Sequence, residues 1–516
     1  MTGALAGLDL ALLLAYLAAV VAMSWILALR QRSGEDYFLA GRSMRGPVLA
    51  ASVLANQASA VSLVGAPAFV ALRPGGGLAW LQYELAVPLA MLLLIVVLLP
   101  ALRRAPGSSI YAWAERRFSR ATRRALAGAF VLSRGLALGV VLYASALVVA
   151  QAFGCSVDTG LLAVGAFSVA YTGMGGIVAD IWSDVLQLAV LWAGTALCVA
   201  HLLWRGGAAL LLAVPQERAR ALVFDSAGFS GEGAFSFWPM LLGGVFLYAS
   251  YYGCDQSQAQ RLLTARDDGA ARQALLLNGL LRFPLVLTYC GLGLLLAGLL
   301  RVDATFAAAM DGRPPDALVP VFITHALPAG LRGVLLAAIL AAAMSSIDSA
   351  LNSLAAVTLE DVLGRAPAEQ GIWTARGVTF AWGLFAVLSG LVFARAGTGV
   401  IELINQVGSA FYGPLLAVFA VGVLAPRVGA RGALAGLGAG LAANLALGWF
   451  APWVSWLWWN PAGFGVAVAA ALLVDRARLT TGLDWRRREA ALLLGAFTML
   501  LIVLIALDWL TSGRMG

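Results

Sequence analysis

The sequence predicts an all-α polytopic membrane protein with about 14 transmembrane helices, and three observations carry that expectation. Of its 516 residues, 61% are hydrophobic and only 12% are charged, about half of the ~25% charged residues that an ordinary soluble domain carries. Apolar runs long enough to cross a ~30 Å hydrocarbon core recur from end to end. All 34 basic residues are arginine, and most fall in short connectors between those runs.

Taken in order, the expected spans are 7–29, 46–71, 77–101, 123–152, 156–174, 177–204, 236–254, 272–300, 330–360, 372–397, 400–425, 431–450, 452–474 and 488–510. The first run, Leu8 to Leu29, has no basic leader and no small-residue cleavage site, and Arg30 and Arg32 follow it. It reads as a retained helix, not a signal peptide. One set of alternate connectors is rich in arginine: Arg30 to Arg45, Arg103 to Arg124, Arg261 to Arg272, Arg365 and Arg376, Arg427 and Arg431, and Arg476 to Arg488. Those loops are assigned to the cytoplasm. An even number of spans then puts both termini outside, and the expected location is a bacterial inner membrane.

The same placement explains the net charge of +8 as an orientation signal and argues against a nucleic-acid partner. The two long connectors, 205–235 and 301–329, read as modest external loops that hide no soluble domain. Cys155, Cys198, Cys254 and Cys290 are scattered without a CxxC, and His201 and His325 are the only imidazoles. That supplies too few ligands for a zinc or haem site, and no nucleophile constellation suggests an enzyme.

Polar groups inside spans are costly and therefore mark candidate sites. In the second span, Leu54 to Ser62 is small and polar (Ala55, Asn56, Gln57, Ala58, Ser59, Ser62), with Gly65 and Pro67 following. This pattern predicts local unwinding that frees carbonyls for a cation, against the plainer reading of close helix packing. In the ninth span Ser345, Asp348, Ser349 and Asn352 share one helical face, giving a carboxylate and hydroxyls of the hard-oxygen type that small cations prefer. Serines bonding back to their own helix would leave Asp348 unexplained. Asp180 and Asp184 lie one turn apart; Asp184 reads as functional and Asp180 as a hydrated residue or helix cap. A distributed set comprises Tyr83, Glu84, Asp255, Gln256, Arg282, Glu402, Asn405, Gln406, Ser409 and Tyr412. Arg282 needs a partner, either a protein carboxylate or an anionic solute, and sequence leaves both open.

Several segments resemble the sodium:solute symporter family. They are Asp36-Tyr37-Phe38-Leu39-Ala40-Gly41-Arg42-Ser43, then Gly175-Gly176 through Trp182-Ser183-Asp184-Val185-Leu186-Gln187. Gly253-Cys254-Asp255-Gln256-Ser257-Gln258-Ala259-Gln260-Arg261 and Ser345-Ser346 through Asn352-Ser353 complete the series. The resemblance covers about residues 36–425 and implies two inverted five-helix repeats with discontinuous first helices, a LeuT-like core. The implied organisation is an extra helix and loop (1–45), the first repeat (46–204), an external loop (205–235), the second repeat (236–425) and accessory helices (426–516).

Carried over residue by residue, the resemblance puts the main sodium site on the carbonyls of Ala55, Ala58 and Ala342 and the hydroxyls of Ser345 and Ser346. A second site, present in some members, falls on Asp184, Ser345, Asp348 and Ser349, where Asp348 replaces a position that is often serine. Solute contacts would come from Ser59, Ser62, Tyr83, Glu84, Asp255, Gln256, Arg282 and Asn405. Ser62 replaces a longer amide found in sugar carriers. The Gly-x-Asp-Gln-Ser-Gln run looks closer to the vitamin, iodide and monocarboxylate branch, which leans the expectation to a small organic anion.

The expected function is sodium-coupled import of a small organic solute by alternating access. Na⁺ is the coupling ion, no organic cofactor is expected, and the expected partners are the solute and membrane lipid, with no obligate protein partner. Rivals are a proton-coupled carrier of the same fold, with Asp348 or Asp184 titrating, and a membrane solute sensor, which would need a cytoplasmic output domain.

Overall fold

The computed structural model describes residues 6–28, 40–104, 109–172, 177–230, 235–364, 372–395, 399–480 and 486–512. Asp36 to Leu39, Gly175, Gly176 and the arginines Arg30, Arg32, Arg365 and Arg514 lie outside the described residues. Every long element is a helix. In chain order they are α1 (Gly7–Ala28), α2 (Gly46–Gln57), α3 (Ala60–Leu72), α4 (Leu78–Leu102), α5 (Tyr111–Arg117), α6 (Arg120–Phe153), α7 (Val157–Thr172) and α8 (Ile177–Leu212). They continue with α9 (Gly244–Cys254), α10 (Gln256–Leu263), α11 (Asp268–Val302), α12 (Ala304–Met310), α13 (Leu318–His325) and α14 (Leu331–Val357). The last are α15 (Ile372–Phe393), α16 (Val400–Leu424), α17 (Ala430–Phe450), α18 (Trp459–Val474) and α19 (Arg487–Ser512).

By length and composition, 10 segments among the described residues can cross a membrane, or 11 when the bent pair α2 and α3 counts as one span. Three further expected spans are also helical; two are short, and the third is the 22-residue α15. The fifth is the 16-residue α7, the seventh is the 11-residue α9 behind a π-helical turn at Pro239–Gly243, and the tenth is apolar over Gly377–Phe393. The connectors also differ from expectation. α8 runs past 205 to Leu212 with a kink at Gly207 (φ 47°), and the connector 301–329 folds into α12 and α13.

Burial sorts the helices into centre and rim. In the most apolar stretch of Leu331–Val362, which contains α14, 89% is buried; for α1, α17, α19 and Trp456–Val474 the share is 18–28%. The exposed side chains of the rim are large and apolar, among them Trp25, Trp449, Phe450, Ile502 and Trp509, as a surface solvated by lipid tails requires. α1 packs on α14 through Leu13, Tyr16 and Val20 against Ala337, Ala341 and Met344. Its buried Asp9 accepts from the amides of Gly330 (2.7 Å) and Gly333 (2.9 Å), two groups that the start of α14 cannot satisfy within itself.

Apart from the kink at Gly207, two breaks among the described residues fall between buried helices. Between α2 and α3 the chain bends by 58° at Ala58 (ψ 67°) and Ser59 (ψ 172°). Between α9 and α10, Asp255 is extended (φ −84°, ψ 121°), and its carboxylate caps α10 by accepting from Ser257 N at 2.9 Å. Gly65 follows the first break for a packing reason. A Cβ there would lie 2.8 Å from the Ile401 side chain, so only glycine lets α3 press against α16.

Candidate functional site

The break in α2–α3 redirects backbone donors. Ser59 N–H turns back to Gln57 O (2.9 Å) and Ser62 N–H to Ser59 O (2.9 Å), so the carbonyls of Ala55 and Ala58 lose the amides that a continuous helix would have given them. Facing them is α14, whose Ser346 hydroxyl donates to Asn56 O at 3.0 Å. Ala342 lies one turn before Ser346, and Ser345 is its neighbour, all of them buried. The residues expected to form a main sodium site are thus distributed over two facing helices, with carbonyl and hydroxyl oxygens available and no carboxylate among them. No group of three or more His, Cys, Asp or Glu among the described residues is arranged to hold a metal.

Beside the break lies a cavity of about 110 Å³, several times the ~10–15 Å³ that a single water occupies on the same measure. Ser59, Ser62, Tyr83, Arg282, Asn405 and Tyr412 line it, as do Asn56, Gln57 and Ser346. Aromatic and aliphatic walls come from Trp80, Tyr248, Tyr251, Tyr289, Leu138, Val141 and Ile404. The cavity is therefore apolar-walled, with a few convergent polar groups, as solute sites generally are.

Arg282 finds a protein partner. Its Nε donates to Glu84 Oε2 at 2.7 Å and Nη2 to Oε1 at 3.3 Å, while Tyr248 OH donates to the same carboxylate at 3.1 Å. Glu84 does not itself line the cavity. Asp255 and Gln256, expected as solute contacts, do not line this cavity either. Asp255 is committed to capping α10, and Gln256 Oε1 accepts from Ile110 N at 3.0 Å. Glu402 is held by Arg73 (2.6 Å), tying the end of α3 to the start of α16.

A second cluster lies next to the break and is fully internal. Arg261, 1% exposed, donates through Nε to Ser52 Oγ (2.7 Å) and through Nη1 to Ser257 O (2.5 Å). Its Nη2 reaches Asp184 Oδ2 (2.6 Å), Ser349 Oγ (2.6 Å) and Asp180 Oδ2 (3.1 Å). Ser52 Oγ donates to Asp184 Oδ2 (2.5 Å), and Ser345 Oγ donates to the other Asp184 oxygen. Four helices, α2, α8, α10 and α14, meet here.

Two expectations are corrected by this cluster. Arg261 is not a cytoplasmic loop arginine, and Asp180 is neither hydrated nor a helix cap; both are buried and paired with each other. The expected second sodium set is only partly assembled as a group. Asp184 and Ser349 meet the Arg261 guanidinium and Ser345 bonds the far oxygen of Asp184, while Asp348 accepts from Thr172 Oγ1 of α7 at 2.6 Å.

Sequence reasoning missed Arg134. This arginine of α6 is 7% exposed, lines the cavity, lies 3.7 Å from Asp255 Oδ2 and stands over the Tyr251 ring. The signal was present, since a charge in the middle of an apolar run is a site marker.

Residues 37–440 match the model of the sodium:solute symporter family. The human sodium/iodide cotransporter is 31% identical over 426 residues, covering 80% of this chain and 65% of that protein. Human sodium-coupled monocarboxylate transporter 1 is 29% identical over 430 residues, covering 81% of this chain and 69% of that protein. The chain thus spans about two thirds of the length of these relatives, which fall in the branch toward which the Gly-x-Asp-Gln-Ser-Gln run pointed. Among solved structures, a Na⁺-coupled sialic acid symporter in a substrate-bound outward-open state superposes with a TM-score of 0.81 at 22% identity. The match covers 92% of this chain and 99% of that one, and it establishes the shared helical fold. The chain belongs to the sodium:solute symporter family and is an integral membrane protein.

Proposed function

We propose that this member of the sodium:solute symporter family is a sodium-coupled carrier that imports a small organic solute through the cavity between α3, α6, α9, α11 and α16 by alternating access. The observation that carries the reading is the break at Ala58 and Ser59. It frees the Ala55 and Ala58 carbonyls opposite Ser345 and Ser346, next to the Asn56, Gln57, Ser59 and Ser346 side chains that line the cavity. One sodium would be held there by the carbonyls of Ala55, Ala58 and Ala342 with the two hydroxyls. Bound sodium would then brace the wall that Ser59 and Ser62 present to the solute. An ion shifts the equilibrium between conformations only by its different affinity for them, and a cradle shared by α2–α3 and α14 changes whenever those helices separate.

Two inverted five-helix repeats, 46–204 and 236–425, belong to the same proposal, as do 14 spans and both termini outside a bacterial inner membrane. The paired breaks at Ala58 and Asp255 support the repeats, since each would interrupt the first helix of its repeat. A second sodium at Asp184, Ser345, Asp348 and Ser349 requires conformations in which Arg261 withdraws; with Arg261 in place, its guanidinium is the cation at Asp184 and Ser349. A second reading, proton coupling, is favoured by three buried carboxylates, of which Asp180 and Asp184 share the cation Arg261 and Asp348 has an ion pair with no described residue.

The test is charge movement in proteoliposomes, with Na⁺ compared against K⁺ at fixed pH. Currents requiring both sodium and a solute are expected, and Ser346→Ala should raise the half-saturating sodium concentration about ten-fold, a ~1.4 kcal/mol loss. Currents that follow a proton gradient and ignore sodium would transfer the case to the second reading.

A further inference from the structure

Buried polar atoms nearly always have hydrogen-bond partners, and exceptions call for an explanation. Six such partnerless atoms lie on side chains that line the central cavity: Asn56 Nδ2 and Oδ1, Gln57 Oε1, Tyr83 OH, Arg134 Nε and Tyr289 OH. Four of the six can donate. Four can also accept, so the wall offers unused donors and acceptors in equal number, and charge decides what ligand it complements.

Charge singles out one of them. Among the described residues, two arginines line the cavity, and no Asp or Glu does. Arg282 is already met edge-on by the Glu84 carboxylate through two nitrogens, with Tyr248 bracing the pair. Arg134 is different. Its ion partner Asp255 stands 3.7 Å away, beyond hydrogen-bond distance, and Asp255 spends its other oxygen on the Ser257 amide and hydroxyl. Asp255 Oδ2 is itself without a hydrogen bond. Arg134, which lines the cavity and bonds the Tyr251 side chain, thus keeps an unpartnered Nε, and the Asp255 behind it keeps an unpartnered Oδ2.

We propose that Arg134 is the residue that recognises a carboxylate on the transported solute, with Asp255 as its counter-ion when no solute is bound. A planar guanidinium pairs with a carboxylate through two parallel hydrogen bonds, and the Tyr83 and Tyr289 hydroxyls and the Asn56 amide supply further donors. The walls of Trp80, Leu138, Val141 and Ile404 would cover an apolar body. The solute class is therefore a small amphipathic monocarboxylate. Asp255 sits at the α9–α10 break, so a solute that draws Arg134 away from it also loosens the tie between α6 and that elbow.

This inference rests on the sodium-coupled reading, and the experiment separates the two. Currents are recorded in proteoliposomes under a sodium gradient with matched pairs: nicotinate and nicotinamide, benzoate and benzamide, propionate and propionamide, with glucose and iodide added as further probes. At least one acid is expected to drive sodium-dependent current about ten-fold or more better than its amide, the scale of a charge-assisted hydrogen bond. Arg134→Gln should collapse that preference toward parity, and Arg134→Lys should restore part of it. Asp255→Asn keeps an oxygen to cap α10 and removes the competing charge, so the half-saturating acid concentration should fall several-fold.

Sodium-dependent currents with glucose or the amides, equal to or above those with the acids, would overturn the carboxylate assignment while leaving the symporter intact. So would iodide current with no acid current, an unchanged acid preference in Arg134→Gln, or weaker acid binding in Asp255→Asn. Loss of sodium dependence for every solute would instead overturn the symporter reading, and this inference with it.

Discussion

The Arg261 cluster and the central cavity adjoin each other and share α2 and α14, yet they treat polar groups in opposite ways. Around Arg261, every guanidinium nitrogen has a partner, and Asp180, Asp184, Ser52, Ser345 and Ser349 close the network within 3.2 Å. Around the cavity, six buried donor and acceptor atoms lack one. In a low-dielectric slab an unpaired polar group is costly. A closed network can therefore act as a structural knot, whereas an open one is a place that a ligand completes. The contrast teaches which buried arginine to regard as scaffold and which as a reader of solute.

Arg261→Gln is the severest way to break this comparison. It leaves Asp180 and Asp184 buried without their cation, and removing one partner of a buried pair costs about 3–5 kcal/mol. Thermal unfolding of the purified protein in detergent should show the largest loss here, and Arg261→Gln with Asp184→Asn should recover part of it. An unchanged unfolding temperature would mean that the cluster is not a knot. Glu84→Gln should have a smaller effect, about 1–3 kcal/mol, because Arg282 keeps the neutral amide and the edge of the cavity. It also unmasks a second cation toward the solute, so acid affinity measured by current should rise; a fall would place Glu84 in solute recognition itself. Asp9→Ala lies outside both regions and removes a cap from α14 together with the acceptor of the Ala6 amide. Its cost should be about 1 kcal/mol, read as a small thermal shift with sodium affinity unchanged. A change in sodium affinity would extend the knot to the far end of α14.

The main architectural break was legible in sequence. Ala55 to Ser62 lacks large side chains and intersperses Asn56, Gln57, Ser59 and Ser62, so little packing holds a regular helix there, and the chain bends within that stretch. The fate of Gly65 was less legible. It reads as a helix breaker, but it lies inside α3 and serves the contact with Ile401, since nothing local reveals which helix will come so close. The connectors 205–235 and 301–329 were read as loops because charges and prolines interrupt their apolar pattern, yet α8 continues to Leu212 and α12 and α13 form within them.

Among the arginines, sequence position misled where depth and neighbours differ. Arg261 follows a run of glutamines and precedes Arg266 and Arg272, so its surroundings look cytoplasmic. Its burial comes from α2, α8 and α14, which lie 77 to 209 residues away in the chain. Arg134 is the opposite case, a lone charge in an otherwise apolar span that marks a site while its neighbours Asp255 and Tyr251 lie far away in the chain.

By itself, the sequence determined that this chain lives in a membrane, that it is helical throughout its long elements, and where its second span gives way. Its ordered motifs also pointed to the symporter family. These follow from composition and local periodicity, which act within one or two turns of chain. Only the tertiary structure decided that Arg282 meets Glu84, that Arg261 meets Asp180 and Asp184, and that Arg134 is left facing the cavity with Asp255 just out of reach. Helical spacing tells which residues share a face, while the tilt and rotation of each helix decide what that face meets. In a medium where an unpaired charge costs several kcal/mol, that meeting is what divides scaffold from binding site.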